Sequence, residues 1–232
     1  MMNYDIILVR YGELSLKSAY VRNYFESTLV RNIKKALAQE NILYRITKER
    51  GRIYLSTTEI SKSCLVLSRI FGIVSFSPAV QTTSKIEDIS KVALQLTKNI
   101  ITKEKSFAIR STRVGTHTFS SQQVAIQVGN DIVKATQVKV DLTHPDVELF
   151  IEIRDKKSFL FTEKIKGVGG LPLGTQGKIL VLVENPSSLL AAWYLMRRGC
   201  NVIIVNIKKS NDESIHSFFQ FCSMVVIDYH VL

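Results

Sequence analysis

Cysteine is scarce and badly placed for cross-linking: Cys64, Cys200 and Cys222 are odd in number, far apart and free of any CxxC pair. That argues against a disulfide framework or a cysteine zinc site and makes a reducing compartment the expectation. The four histidines form no HxxxH pair, so no metal site is expected either. Long apolar runs are missing, and none reaches the roughly 18–20 residues needed to cross a bilayer. The first strand begins almost at once, with no signal-peptide core before it. A soluble, cytoplasmic protein without a membrane partner is therefore expected. With 46% hydrophobic and 22% charged residues, the chain is not of the disordered class.

Acidic residues are also in deficit. The net charge of +11 points to a polyanionic partner, which is a statement about association and not about fold. The imbalance is uneven. Residues 1–170 carry 26 Lys and Arg against 16 Asp and Glu, whereas residues 171–232 carry 5 against 4. The acidic ligand is expected to meet the first 170 residues.

The 232 residues suffice for two or three small cores. Asp5–Arg10 reads as a buried strand, and Val21, Phe25, Leu29, Ile33 and Leu37 recur at i+4 as the apolar stripe of a helix. Short strands Tyr44–Thr47 and Arg52–Ser56 follow, joined through Gly51. A helix over Glu59–Ile70 comes next, with Gly72 placed as its C-terminal cap. A strand over Val74–Val80 completes the order β-α-β-β-α-β, the ferredoxin-like arrangement.

A second unit begins with a helix over Ile86–Ile101, whose Ser84 and Glu87 have capping-box spacing. Strand Ser106–Arg113 leads to a helix over Ser120–Ala135, with Ser120 or Ser121 as N-cap. Val138–Asp141, Val147–Arg154 and Phe159–Lys164 read as strands. Gly167, Gly169, Gly170, Pro172, Gly174 and Gly177 crowd into eleven residues and read as a linker. Beyond it, strands Ile179–Val183, Asn201–Ile207 and Met224–Tyr229 alternate with helices Ser188–Arg197 and Asp212–Cys222, the pattern of a parallel α/β sheet.

Four motifs in this order resemble one family: Arg10-Tyr-Gly-Glu-Leu-Ser-Leu-Lys17, the basic turn through His117-Thr-Phe-Ser-Ser121, Gly167-Val-Gly-Gly-Leu-Pro-Leu-Gly-Thr-Gln176, and Ala191-Ala-Trp-Tyr-Leu-Met-Arg-Arg-Gly199. Together they resemble the 4-thiouridine tRNA sulfurtransferases of the ThiI type. The resemblance implies α+β followed by α/β architecture. It would comprise a ferredoxin-like domain (1–81), a THUMP RNA-binding domain (82–166), a Gly-rich linker (167–178) and a truncated Rossmann-like, PP-loop ATPase-type sheet (179–232). In the family a Ser-Gly-Gly-x-Asp-Ser loop grips the pyrophosphate of ATP. Here Val183, Glu184, Asn185, Pro186, Ser187 and Ser188 stand in its place, and only the last Ser survives. Glu184 brings negative charge to that position and Pro186 removes an N–H donor. The expectation is a lost ATP site, no cofactor and no catalytic residue, with the rest of the sheet lying past Leu232.

The candidate RNA contacts are Arg110, Arg113 and His117 on a strand end and its loop, Lys164 and Lys166 before the glycines, and Lys17 and Arg22 in the first domain. Cations on loops neutralise phosphates, and His can stack on unpaired bases. Against this, the same residues could be a solvated strand edge, and Phe119 is expected in the core. Gly167-x-Gly169 lacks the third glycine of a dinucleotide fingerprint, and Gly177-Lys178 is followed by Ile179 where a Walker A loop needs Ser or Thr. The expected function is tRNA binding, including the single-stranded 3′ end, without ATP chemistry of its own. Two alternatives stand beside it: a tRNA sulfurtransferase completed by a partner enzyme chain, and a structural module that forms a homodimer through an open sheet edge.

Overall fold

The computed structural model describes residues 4–12, 18–49, 51–98, 100–102, 104–183, 185–206 and 225–228. Lys17, Glu184 and the helix expected over Asp212–Cys222 lie outside them. The chain divides into two compact units, one of Met1–Leu8, Leu55–Ile60 and Ser77–Lys164, the other of Val9–Tyr54, Ser61–Phe76 and Ile165–Leu232.

The opening elements are β1 (Ile6–Tyr11), α1 (Ala19–Gln39), β2 (Arg45–Glu49), β3 (Arg52–Ser56), α2 (Ile60–Leu67) and β4 (Ile73–Thr83), with strands ordered β2-β3-β1-β4. This is the ferredoxin-like order. Ser18 caps α1 by accepting from the Val21 N–H, and the stripe Phe25, Leu29, Ile33 and Leu37 is buried as the i+4 spacing requires. Glu26 is buried on the same helix. It accepts from the Tyr11 hydroxyl at 2.7 Å and pairs with Lys48 at 3.8 Å. Burial, and then the Glu26 carboxylate beside it, push the Tyr11 hydroxyl above its ordinary pKa. Gly72 does not cap α2, which ends five residues earlier; its N–H donates instead to the Gly169 carbonyl at 2.8 Å.

The Ser77–Lys164 part of the chain holds α3 (Ile86–Thr97), β5 (Phe107–Val114), α4 (Ser121–Thr136), β6 (Val147–Arg154) and β7 (Lys157–Phe161), with strands ordered β4-β7-β6-β5. β5 and β6 run parallel because α4 crosses between them, and the other pairs are antiparallel. Ile89, Ala93 and Leu96 of α3 and Val124, Val128 and Ile132 of α4 pack on Phe107, Leu149, Ile151, Ile153 and Leu160. Both helices therefore cover one face of the sheet.

Ser120 and Gln123 form the capping box at the start of α4. The box expected from Ser84 and Glu87 does not form. Lys85 occupies the N-cap position without a side-chain bond, while the Thr83 hydroxyl donates to Asp88 and accepts the Lys85 N–H. Val138–Asp141 is not a strand: a single bridge joins Val140 to Phe107. The Asp141 carboxylate takes the N–H groups of Thr143 and His144, and that local turn ends the pairing.

Past β8 (Ile165–Lys166), which pairs with Ser75 and Phe76 of β4, come β9 (Lys178–Val183), α5 (Pro186–Arg197), β10 (Asn201–Asn206) and β11 (Val225–Asp228). The last three strands form a parallel sheet ordered β11-β10-β9. The glycine-rich stretch is fastened on both sides. Gly167 N–H donates to Val74 and Gly169 N–H to Ile73, while Leu171 N–H donates to Arg197 and Gly174 N–H to Gly199. Phe71 joins Val183, Leu189, Ala192, Met196, Val202 and Ile204 in one apolar cluster, and Trp193 packs edge-on against Phe71.

Candidate RNA-binding face

Side chains alternate along a strand, so residues at even spacing share a face. On β5, Phe107 and Ile109 point to the helices, which puts Arg113 on the helix side and Arg110 on the opposite one. On β6 the same logic sends Leu149, Ile151 and Ile153 to the helices and Glu148, Phe150, Glu152 and Arg154 away from them.

Arg110, Glu148, Phe150, Thr162, Glu163 and Lys164 line an open groove of about 620 Å³ on this helix-free side. Its floor is aromatic. Phe150 stacks on Phe161 with ring centres 5.2 Å apart and planes 14° apart, and the Lys164 ammonium sits 4.0 Å from the Phe150 centre. Arg110 borders the groove, with Nε 2.7 Å from Glu148 Oε1 and Nη2 donating to the Leu142 carbonyl at 2.9 Å. Two cations therefore face two carboxylates, Glu148 and Glu163, so this is a mixed polar groove over aromatic rings and not a bare cationic pocket. Beyond it Arg154 and Glu152 form a largely buried ion pair at 2.8 Å.

The loop that holds Arg110 is itself anchored. The His144 and Thr143 N–H groups hold the Asp141 carboxyl below the usual carboxylate range. The Ser106 N–H and hydroxyl do the same for Asp146. Leu142, whose carbonyl receives Arg110, lies between them.

Of the residues expected from sequence, Arg110 and Lys164 meet in the groove. Arg113 is exposed on the other face, where its guanidinium donates to the Gly115 carbonyl at 3.4 Å. His117 is half-buried. Its Nε2 lies 2.7 Å from the Asp155 carbonyl and its ring packs 5.2 Å from Phe119, leaving Nδ1 buried without a partner among the described residues. His117 pins the loop after β5 to the β6–β7 turn. Phe119 packs against the helix-side core, as expected. Lys166 is exposed on β8 opposite Ser75, and Arg22 is half-buried on α1. The glycines after Lys166 spend the N–H groups of Gly167, Gly169 and Gly174 within the protein, so those donors do not reach outward. Sequence reasoning missed Phe150 and Glu148. The available signal was Phe150 itself, an aromatic in the solvent phase of an otherwise charged strand face.

At the turn after β9, Asn185 caps α5: its Oδ1 accepts the Ser188 N–H at 3.1 Å. Pro186 opens the helix without an N–H of its own. Among the described residues no group of His, Cys, Asp and Glu could hold a metal ion, and no helix is long and apolar enough to cross a membrane.

A ferredoxin-like order thus leads into a second sheet of order β4-β7-β6-β5 covered by two helices, and family comparison identifies both. The ThiI ferredoxin-like domain matches residues 6–77 and the THUMP domain residues 83–163. A probable tRNA sulfurtransferase of Methanobrevibacter smithii is 43% identical over 211 residues, 88% of this chain and 54% of that protein. The crystal structure of PH1313 from Pyrococcus horikoshii superimposes with a TM-score of 0.85 at 34% identity, covering 96% of this chain and 78% of the other. A 4-thiouridine synthetase solved with RNA and bound ATP shares the fold, with a TM-score of 0.77 at 24% identity over 94% of this chain and 57% of that one. The chain belongs with the THUMP-domain proteins of the ThiI type, and it spans about half the length of the curated relatives it matches.

Proposed function

We propose that the chain binds tRNA through the helix-free face of its THUMP sheet, seating an unpaired 3′-terminal base over Phe150. The observation that carries this reading is the Phe150–Phe161 stack, flanked by Arg110 and Lys164 in one open groove. Single-stranded RNA is held by base stacking on aromatic rings together with cations along the backbone. A base entering the groove takes the place of the Lys164 ammonium over Phe150. The trade favours the base, because an exposed cation–π contact is worth about 0.5–1 kcal/mol and base stacking about 1–3 kcal/mol. The displaced ammonium then serves a phosphate. The tRNA sulfurtransferase relatives and the RNA complex of the 4-thiouridine synthetase support the choice of partner.

In this reading the chain holds tRNA without adenylating it. The residues after β9 do not suit a pyrophosphate: Asn185 already takes the Ser188 N–H, and Pro186 has none to offer. A second reading, catalysis of tRNA thiolation together with a segment outside residues 1–232, is favoured by the identity to named sulfurtransferases.

Titration with intact tRNA and with tRNA lacking its 3′ end, with and without ATP, separates the two readings. End-dependent binding indifferent to ATP is the expected result. Binding that ignores the 3′ end overturns the groove assignment, and turnover of ATP establishes the catalytic reading.

A further inference from the structure

The groove is oddly charged for one that meets a polyanion. The chain carries a net charge of +11, yet the formal charges lining the groove cancel, with Arg110 and Lys164 set against Glu148 and Glu163. The two carboxylates are not equivalent. Glu148 is occupied, since its Oε1 receives Arg110 Nε at 2.7 Å. Glu163 is exposed, and among the described residues its carboxylate has no ion pair or hydrogen bond. It stands next to Thr162, whose Oγ1 lies 3.3 Å from the Tyr4 hydroxyl. Burial raises the Tyr4 hydroxyl above its ordinary pKa and the Glu163 charge adds to the rise, which places that carboxylate close to the Tyr4–Thr162 pair.

A carboxylate without a partner opposes every phosphate that nears the groove, so it favours RNA only where a donor reaches it. Phe161 lies opposite Phe150 across β6 and β7, and Glu163 follows Phe161 by two residues, at most about 7 Å of chain. That is the reach from a stacked base to the hydroxyls of its own sugar. Within an RNA strand the 3′ oxygen is esterified to phosphate, and only the last sugar offers two adjacent hydroxyl donors. Dinucleotide sites set a carboxylate against a ribose hydroxyl in the same way, and use arginine where the sugar bears a phosphate instead.

We propose that Glu163 accepts the 2′- and 3′-hydroxyls of the terminal ribose, so that the groove selects an RNA end whose last sugar is unesterified. This rests on the groove being the seat of the 3′-terminal base. Glu163 adds selection by repulsion to the attraction of the aromatic platform. The reaction that supplies this ligand is then one that leaves both terminal hydroxyls free.

Fluorescence anisotropy with four tRNAs that differ only at the end tests the assignment: unmodified, lacking the last nucleotide, 3′-deoxy and 3′-phosphorylated. The 3′-deoxy end should bind about tenfold more weakly, the loss of one hydrogen bond to a charged acceptor. The 3′-phosphate should bind more weakly still, and its extra penalty should narrow between about 50 and 200 mM salt as the repulsion is screened. Glu163→Gln, a change at an exposed position that leaves the melting temperature unaltered, should bring hydroxyl and phosphate ends within about threefold of each other. If truncation weakens binding while either modified end binds as well as the unmodified one, the aromatic platform stands and the role of Glu163 falls. If truncation changes nothing, the platform falls and the role of Glu163 with it. Undiminished discrimination by Glu163→Gln also overturns the assignment.

Discussion

Replacing Phe150 with Ala removes the groove's stacking surface while leaving every charge in place. The ring has one face against Phe161 and the Lys164 ammonium 4.0 Å from its centre. Seating a base over it exchanges about 0.5–1 kcal/mol of cation–π attraction for about 1–3 kcal/mol of stacking. The net loss in the variant is then about 0.5–2 kcal/mol, a rise in Kd of about 2- to 30-fold. Fluorescence anisotropy with labelled tRNA between about 50 and 200 mM salt measures both affinity and its salt dependence. Phe150→Ala should raise Kd by the same factor at every salt concentration, since no phosphate contact is lost. Lys164→Gln should instead flatten the slope of log K against log salt by about 0.7, the value for one contact to a single strand. Phe150→Tyr, which keeps a stacking ring, should restore wild-type affinity. A Phe150→Ala variant that folds and binds with unchanged Kd would refute the groove as the base-binding platform. So would a variant that changed the salt slope alone.

Glu148→Gln frees Arg110 from its 2.7 Å ion pair and removes a carboxylate from the groove, so tRNA affinity should rise and its salt slope steepen. Gly170→Ala should destabilise the protein by about 2–4 kcal/mol in urea melts: Gly170 has φ +75°, where an L-residue loses about 1–2 kcal/mol, and its Cβ would meet the Arg197 carbonyl oxygen that accepts the Leu171 N–H, costing about one hydrogen bond more. Gly177→Ala, at φ +86° with open space around it, should cost only the backbone part; equal losses at the two sites would disprove the close packing at Gly170. The Asp141 and Asp146 carboxyls, held below their ordinary range by N–H donors, contribute stability that is present above about pH 4 and lost as pH falls through their lowered folded values. Carboxyl chemical shifts titrating with midpoints below those of free Asp are expected, and ordinary midpoints would count against the anchored turn. Tyr11 runs the other way: its raised folded pKa makes its contribution complete below about pH 10 and lost above it. Tyr11→Phe should cost about 1.5–3 kcal/mol, as buried Glu26 loses a donor.

The sequence by itself determined whatever depends on neighbours along the chain. The i+4 stripe of α1, the N-cap of α4 at Ser120 and the strand over Val147–Arg154 follow from backbone period and local hydrogen bonding, and all appear where their residues stand. The β-α-β-β-α-β order was legible for the same reason, and the motif series was specific enough to reach the family. Where a side chain can bond either to its own backbone or to another, short spacing was not decisive: Thr83 displaced the Ser84–Glu87 box, and Asp141 turned an expected strand into a bridge. Tertiary structure alone decided the site. Arg110, Phe150 and Lys164 come from three separate stretches and become neighbours only once the β5–β6 and β6–β7 registers are set, because a one-residue slip would send each to the opposite face. It also decided that the glycine-rich stretch is a clasp and not a free linker. Glycines there admit close backbone approach, and only the packing of β4 and α5 around them supplies the carbonyls to which their N–H groups bond.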